Sequence, residues 1–182
     1  MSFHTYDHLD IPERQAVMSL FHQAFPVSRM PDRIIEASFR KKMAYLHTET
    51  EGGALLAMAF SGPVPDARWL LIDYLAVQPQ LRGKGIGQRF VGKIAEWAKS
   101  VMGMSGLLIE IEATPGEAYR RRVRFWEKCG FTLTEYIHHY KVVPEPYQAM
   151  YLPFDPAVIP EDDGRSLFLH ISAYHRKAFA RE

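Results

Sequence analysis

Apolar residues recur along this chain with two different periods, and the places where the period changes divide it into elements. Residues 2–9, "SFHTYDHL", read as a first strand. The next segment places Val17, Leu20, Phe21 and Ala24 on one helix face, behind Pro12, a residue suited to a helix start. A second helix is expected from Pro31 to about Met43, carrying Ile34, Ile35, Phe39 and Met43. Residues 44–77 read as three strands, broken at Gly52-Gly53 and again between Gly62 and Asp66, which makes an antiparallel meander. The helical period returns from Gly85 to Val101, with Ile86, Phe90, Ile94, Trp97 and Val101 on one face. "GLLIEIEA" follows as a strand and "EAYRRRVRFWEKC" as a helix closed by Gly130; "FTLTEYIHHYKVV" and "QAMYLPF" are two further strand candidates. Beyond a proline-spaced stretch, Leu167, Phe168, Ile171, Tyr174, Ala178 and Phe179 recur at helical spacing, with Asp162 or Asp163 placed to cap. This predicts a C-terminal helix packed on the sheet or on a second subunit of a homodimer. The order of elements predicts an α+β, or mixed α/β, class.

Composition narrows the setting. With 182 residues, 47% of them apolar, the chain can bury one substantial core. No repeat or interdomain linker interrupts it, so one domain is expected over 1–182, with a core at about 3–154 and a helical extension at about 155–182. Lys+Arg 22 against Asp+Glu 21 leaves a net charge of +1, without the broad positive field of a nucleic-acid binder. No apolar run approaches the roughly 18 residues that span a bilayer. A cytoplasmic protein with neither nucleic-acid nor membrane partners is the expectation. The single cysteine, Cys129, forms no intrachain disulfide. His138 and His139 would point to opposite faces of a strand, and His170 and His175 are five residues apart rather than four, so no metal site is predicted.

The segment "LAVQPQLRGKGIGQRF" carries the sharpest chemistry. Gly83, Gly85 and Gly87 alternate with Lys84 and Ile86 between a strand and a helix. Successive backbone N–H groups can converge there at the positive end of the helix, which suits phosphate. Glycine admits positive φ and keeps side chains away from the phosphate oxygens, while Arg82 and Lys84 add charge at the mouth. The spacing fits neither a Walker loop, which needs Lys followed by Ser or Thr, nor the Gly-x-Gly-x-x-Gly of an early βαβ dinucleotide unit.

On these residues the segment resembles the acyl-CoA-binding motif of the GNAT superfamily of N-acetyltransferases, Arg/Gln-x-x-Gly-x-Gly/Ala, with Arg82, Gly85 and Gly87 at the fixed positions. "FWEKCGF" is similar to the end of that family's fourth helix, and the order of elements also matches. The resemblance implies a central, mostly antiparallel sheet of six or seven strands with a splayed middle. It also implies that acetyl-CoA, as acyl donor, lays its pyrophosphate on Arg82, Gly83, Lys84, Gly85, Ile86 and Gly87. Its pantetheine arm would enter where residues 71–77 part from residues 107–112, beside Leu75, Val77 and Trp126. The Leu75 N–H would polarise the thioester carbonyl.

Direct transfer to a primary amine then needs a proton acceptor, because an alkyl ammonium with a pKa near 10.4 is not nucleophilic. Glu110 is the first candidate and Asp73 the second, with Glu112 on the same face as Glu110. The family's usual tyrosine, a proton donor to the departing sulfur, is replaced by Trp126, whose indole is no acid. Tyr140 or Tyr119 could substitute, or water could suffice. A catalytically silent acyl-CoA-binding or sensing module is the alternative, and the acceptor, a free small amine or a protein amine, is left open.

Overall fold

The period-two stretches form one sheet and the period-3.6 stretches cover both of its faces. The structure is a computed structural model describing residues 1–27 and 29–181. Its strands are β1 (Ser2–Tyr6), β2 (Tyr45–Glu51), β3 (Ala54–Pro63), β4 (Trp69–Val77), β5 (Gly106–Glu112), β6 (Thr132–Leu133), β7 (His138–His139) and β8 (Pro146–Pro153). Its helices are α1 (Arg14–Ala24), α2 (Asp32–Arg40), α3 (Ile86–Ser100), α4 (Glu117–Lys128) and α5 (Arg165–Phe179), and a 3-10 turn spans Pro79–Leu81. The sheet order is β1-β2-β3-β4-β5-β8-β6, with β7 also on β8. Every pairing is antiparallel except β4 with β5.

The mixed α/β class and the mostly antiparallel sheet match expectation, with several local departures. "FTLTEYIHHYKVV" gives two short strands, making eight in all, because the N–H groups of Glu135 and Tyr136 leave the ladder to bond the Asp163 carbonyl. The first strand stops at Tyr6, short of Leu9. Helix α2 ends at Arg40, before Met43: Lys42 takes a left-handed conformation (φ 55°), which no helix continues through. Val101 lies past the end of α3 and is 67% exposed, so it does not share the buried stripe of Phe90 and Ile94.

Alternation divides the core in two. On one face, α1, α2 and α5 bury Val17, Phe21, Ile35, Phe168 and Ile171 against Leu46, Met58, Leu71 and Leu108. On the other, α3 and α4 bury Phe90, Ile94 and Trp126 against Ala59, Leu70, Leu107 and Ile109. The C-terminal stripe therefore docks on the sheet of its own chain. Asp162 caps α5 through the backbone N–H groups of Gly164 and Ser166, both at 2.9 Å. Lys41 Nζ donates to the carbonyls of Lys177, Ala178 and Ala180 at the helix's negative end. Gly62 in β3 permits the docking: a Cβ there would overlap the Met43 carbonyl and the Tyr174 ring.

Candidate active site

Two features of β4 create the site. The first is a bulge. Phe60 pairs with Tyr74 and Ser61 with Ile72, which leaves Asp73 as an extra residue without a partner on β3. Side-chain parity flips there. Leu70, Ile72, Leu75 and Val77 face α3 and α4, whereas Leu71, Tyr74 and Ala76 face the other helices. The second is a parting of the sheet. β4 pairs with β5 only from Trp69↔Gly106 to Leu71↔Leu108, and beyond that the strands separate. Gln78 donates its N–H to Leu56 on β3, so by alternation the amides of Val77 and Leu75 turn to the open side.

At the mouth of the parting, on the α3 side, lies the glycine turn. Gly83 and Gly85 both have φ of +76°, and nothing would obstruct a Cβ at Gly83, so their requirement is conformational. Gly87 is different. It is helical and buried, and a Cβ there would stand 3.0 Å from the Phe125 ring and 3.4 Å from Val77. Ile86 is buried in the core, while Arg82, Gly83, Lys84 and Gly85 are exposed. The N–H groups of Ile86, Gly87 and Gln88 open α3 and, as in any first helical turn, have no intrahelical acceptor. Arg82 turns back instead of reaching outward: its Nε donates to the Val77 carbonyl at 3.1 Å and pins the turn to the end of β4. Trp126 packs against Phe125 and Phe131 and is 9% exposed.

The carboxylates gather on the opposite face, beneath α5. Glu110 projects there from β5, and Asp73, two residues after Leu71, faces the same way. His175 of α5 stands between them, Nε2 at 2.9 Å from Asp73 Oδ1 and Nδ1 at 3.7 Å from Glu110 Oε1. Tyr140, just after β7, donates its hydroxyl to Glu110 Oε2 at 2.6 Å. Tyr74 accepts the Met30 N–H at 2.8 Å and packs on Phe21 and Phe25.

Burial drives the electrostatics of this group. It raises the Glu110 carboxyl above the ordinary carboxylate range; the His175 charge and the Tyr140 hydrogen bond pull it partly back, and Asp73 raises it again. For His175, burial alone favours the neutral ring, but the charge and hydrogen bond of Asp73 and the charge of Glu110 outweigh it and carry the imidazole up to about 9. The hydroxyls of Tyr140 and Tyr74 are pushed well above their usual range by burial and the nearby carboxylates, and Tyr147 rises to about 12. Tyr140 is therefore a hydrogen-bond donor to Glu110 and a poor source of a full proton.

Of the candidates read from the sequence, Asp73, Glu110 and Tyr140 come together, and Arg82 to Gly87, Leu75 and Val77 line the other end of the parting. The Glu112 backbone carbonyl accepts from Arg122 at 3.1 Å, and Tyr119 donates to Gln148 at 2.5 Å. Arg120 and Arg124 pair with Glu117 on the surface of α4. Burial pushes the Cys129 thiol up to about 11, which makes it a poor nucleophile. Sequence reasoning missed His175, although a signal was present: it follows Phe168 by seven residues and Ile171 by four, on the buried stripe of α5. Histidine spacing within one element also overlooked a mixed group. Among the described residues, Asp73, Glu110 and His175 each bring a metal-ligating atom within 4.8 Å of the others.

Comparison with known proteins agrees with this architecture. A GNAT-family protein of Bacteroides thetaiotaomicron superposes over 100% of both chains with a TM-score of 0.75 at 17% identity. A Bacillus subtilis acetyltransferase in complex with CoA covers 84% of this chain and 98% of its own (TM-score 0.61, 16% identity). Spermidine N-acetyltransferase of Vibrio cholerae covers 84% and 95% (TM-score 0.65, 11% identity). No curated protein matches the sequence. Residues 14–131, well over half of the chain, match the model of the acetyltransferase (GNAT) family. With the parted sheet and the glycine turn at the head of α3, that match establishes that the chain belongs to the GNAT acetyltransferase family.

Proposed function

We propose that this protein transfers an acetyl group from acetyl-CoA directly to a primary amine. The observation that carries this reading is the placement of an anion-binding turn and a buried carboxylate at the two ends of one parting in the sheet. The N–H groups from Arg82 to Gly87 hold the donor's pyrophosphate, helped by the positive end of α3 and by the exposed Lys84. The open edge of β4 at Leu75 and Val77 offers hydrogen bonds to the pantetheine arm, and the Leu75 amide polarises the thioester carbonyl. Trp126 is a wall of the α4 side. CoA in the Bacillus subtilis neighbour supports this choice of donor.

Chemistry needs two proton movements. Glu110, ionised and desolvated, takes one proton from the acceptor's ammonium; the freed amine attacks the carbonyl carbon, an N–C bond forms, the C–S bond breaks, and the second proton of the nitrogen passes through water to the departing thiolate. The thiolate leaves without a protein acid, since its conjugate thiol has a pKa near 8.5 and water can protonate it. Asp73 and Glu110 give the acceptor side net negative charge, which attracts a cation. The name of the Vibrio cholerae neighbour assigns spermidine to that protein, and the acceptor here is proposed only as a primary amine. We read residues 1–182 as one working unit, because α5 shares the core beneath β3 and β4. No helix among the described residues is long and apolar enough to cross a membrane; a cytoplasmic setting is part of this proposal.

The test is CoA release across a panel of amines, with Gly85→Arg as the control that blocks donor binding, alongside calorimetry with acetyl-CoA. Release with at least one amine, abolished by Gly85→Arg, is the expected result. One observation favours a second reading, a silent acyl-CoA sensor: Trp126 stands where the family's acid is usual, and the hydroxyls of Tyr119 and Tyr140 are both committed elsewhere. Acetyl-CoA binding without turnover of any amine would support the sensor. No binding at all would overturn both.

A further inference from the structure

His175 comes from α5, outside the 14–131 segment shared with the family model. Its ring lies between carboxylates from two different strands, and it meets them with different nitrogens, Nε2 toward Asp73 and Nδ1 toward Glu110. A carboxylate accepts and cannot donate, so facing both at once favours the imidazolium, with an N–H on each edge. One ligating atom from each of the three residues lies within 4.8 Å of the others, but the ring meets the two carboxylates with different nitrogens, the arrangement of a doubly protonated ring rather than of one shared ligand atom. The geometry therefore points to a proton-bearing bridge.

We propose that His175 is a positioning residue for acyl transfer: as an imidazolium anchored on Asp73, it keeps Glu110 ionised and turned toward the parting in the sheet, so that α5 completes the active site. This rests on the acetyltransferase reading above. The side chains of Asp73, Glu110 and His175 are only 8%, 13% and 22% exposed, so water screens their charges weakly. Two carboxylates this close in such a setting would leave one protonated, and a neutral Glu110 accepts no proton from an ammonium. The cation between them permits both to ionise and leaves the group one net negative charge for the incoming cation. The other titratable groups facing this site are Tyr74 on β4, Tyr140 after β7, Tyr147 on β8 and Tyr174 on α5, all held neutral through the working range by burial and the carboxylates. Burial pushes Glu110 toward its neutral form, and the largest opposing influence is the charge of His175, ahead of the Tyr140 hydrogen bond.

The experiment titrates the full chain by nuclear magnetic resonance, following carboxyl carbons of labelled glutamate and ring nitrogens of labelled histidine. Glu110→Gln identifies the Glu110 signal. In the unaltered protein, His175 is expected to carry protons on both nitrogens at pH 7. In His175→Gln the Glu110 midpoint should rise by one pH unit or more, and His175→Lys should bring it back. With an amine that turns over, the acid limb of kcat/KM should move by the same amount, while KM for acetyl-CoA stays constant. A purely structural histidine would lower Tm in the Gln variant and leave the midpoint where it was. An unmoved Glu110 midpoint in folded His175→Gln overturns the proposal. If that variant does not fold, a neutral His175 at pH 7 in the unaltered protein overturns it equally. Neither titration needs an acceptor, so absence of CoA release counts against the acetyltransferase reading alone.

Discussion

The two ends of the sheet's parting are built by opposite means. On the α3 side, six contiguous residues from Arg82 to Gly87 make the turn, and what they need is local: positive φ at Gly83 and Gly85, and contact room at Gly87. On the α5 side, Asp73 and His175 meet across 102 positions of sequence, with Glu110 and Tyr140 from two further segments. A contiguous site is robust because the chain's own geometry holds it. An assembled site depends on every docking that brings its parts together, and it gains burial, which is what shifts Glu110 and His175. Donor binding and proton transfer should therefore respond to different mutations.

The sharpest separation comes from Glu110→Gln. Removing the base should lower kcat by about 10²- to 10⁴-fold, the usual range for general-base catalysis, with acetyl-CoA affinity in calorimetry unchanged. Parallel loss of donor binding would show that the two ends are not independent.

Stability against pH is the next largest effect. His175 titrates higher in the folded chain, at about 9, than its ordinary 6.5. Its stabilisation is fully present below about pH 6.5 and is lost as pH rises through about 9. The effect is on the order of 3 kcal/mol for a shift of this size. Glu110, also raised, shifts in the same sense: stability falls as its carboxyl loses a proton that the unfolded chain gives up earlier. Denaturant melts at pH 6 and pH 9 should show the decline, and His175→Gln should flatten its upper part.

Gly62→Ala strikes the α5 side from a distance. The added methyl overlaps the Tyr174 ring and should cost about 1–3 kcal/mol by overpacking, loosening α5. CoA release should fall while donor binding persists. Gly87→Ala is the mildest, because the Phe125 ring need yield only a few tenths of an ångström. A cost of about 1 kcal/mol in folding stability should appear in denaturant melts, with the Glu110 midpoint unmoved.

Much of this molecule was legible before its fold was known, and the legible parts share a short range. The three-strand meander was marked by Gly52-Gly53 and the Gly62 to Asp66 cluster, and the strands end there. The stripe from Leu167 to Ala178 announced α5, and Asp162 its cap. Two positions depart from the local pattern: Val101 matched the period of α3 but lies past its end and is exposed, and β6 and β7 are separate because Asp163 captures the amides between them. Glu110 was readable as a candidate from strand alternation together with the family resemblance. The environment that shifts it was not.

The amino-acid order by itself determined most of the elements and the glycine turn, which follow from periodicity and from backbone freedom over a few residues, and it carried the resemblance to the family. Tertiary structure decided the rest of the site. Asp73 and Glu110 reach one face from two strands, and a helix a hundred residues further along delivered His175 between them. Burial and charge pairing act through space and carry no mark in a linear pattern, so only the folded chain could set which of its carboxylates is held ready to take a proton.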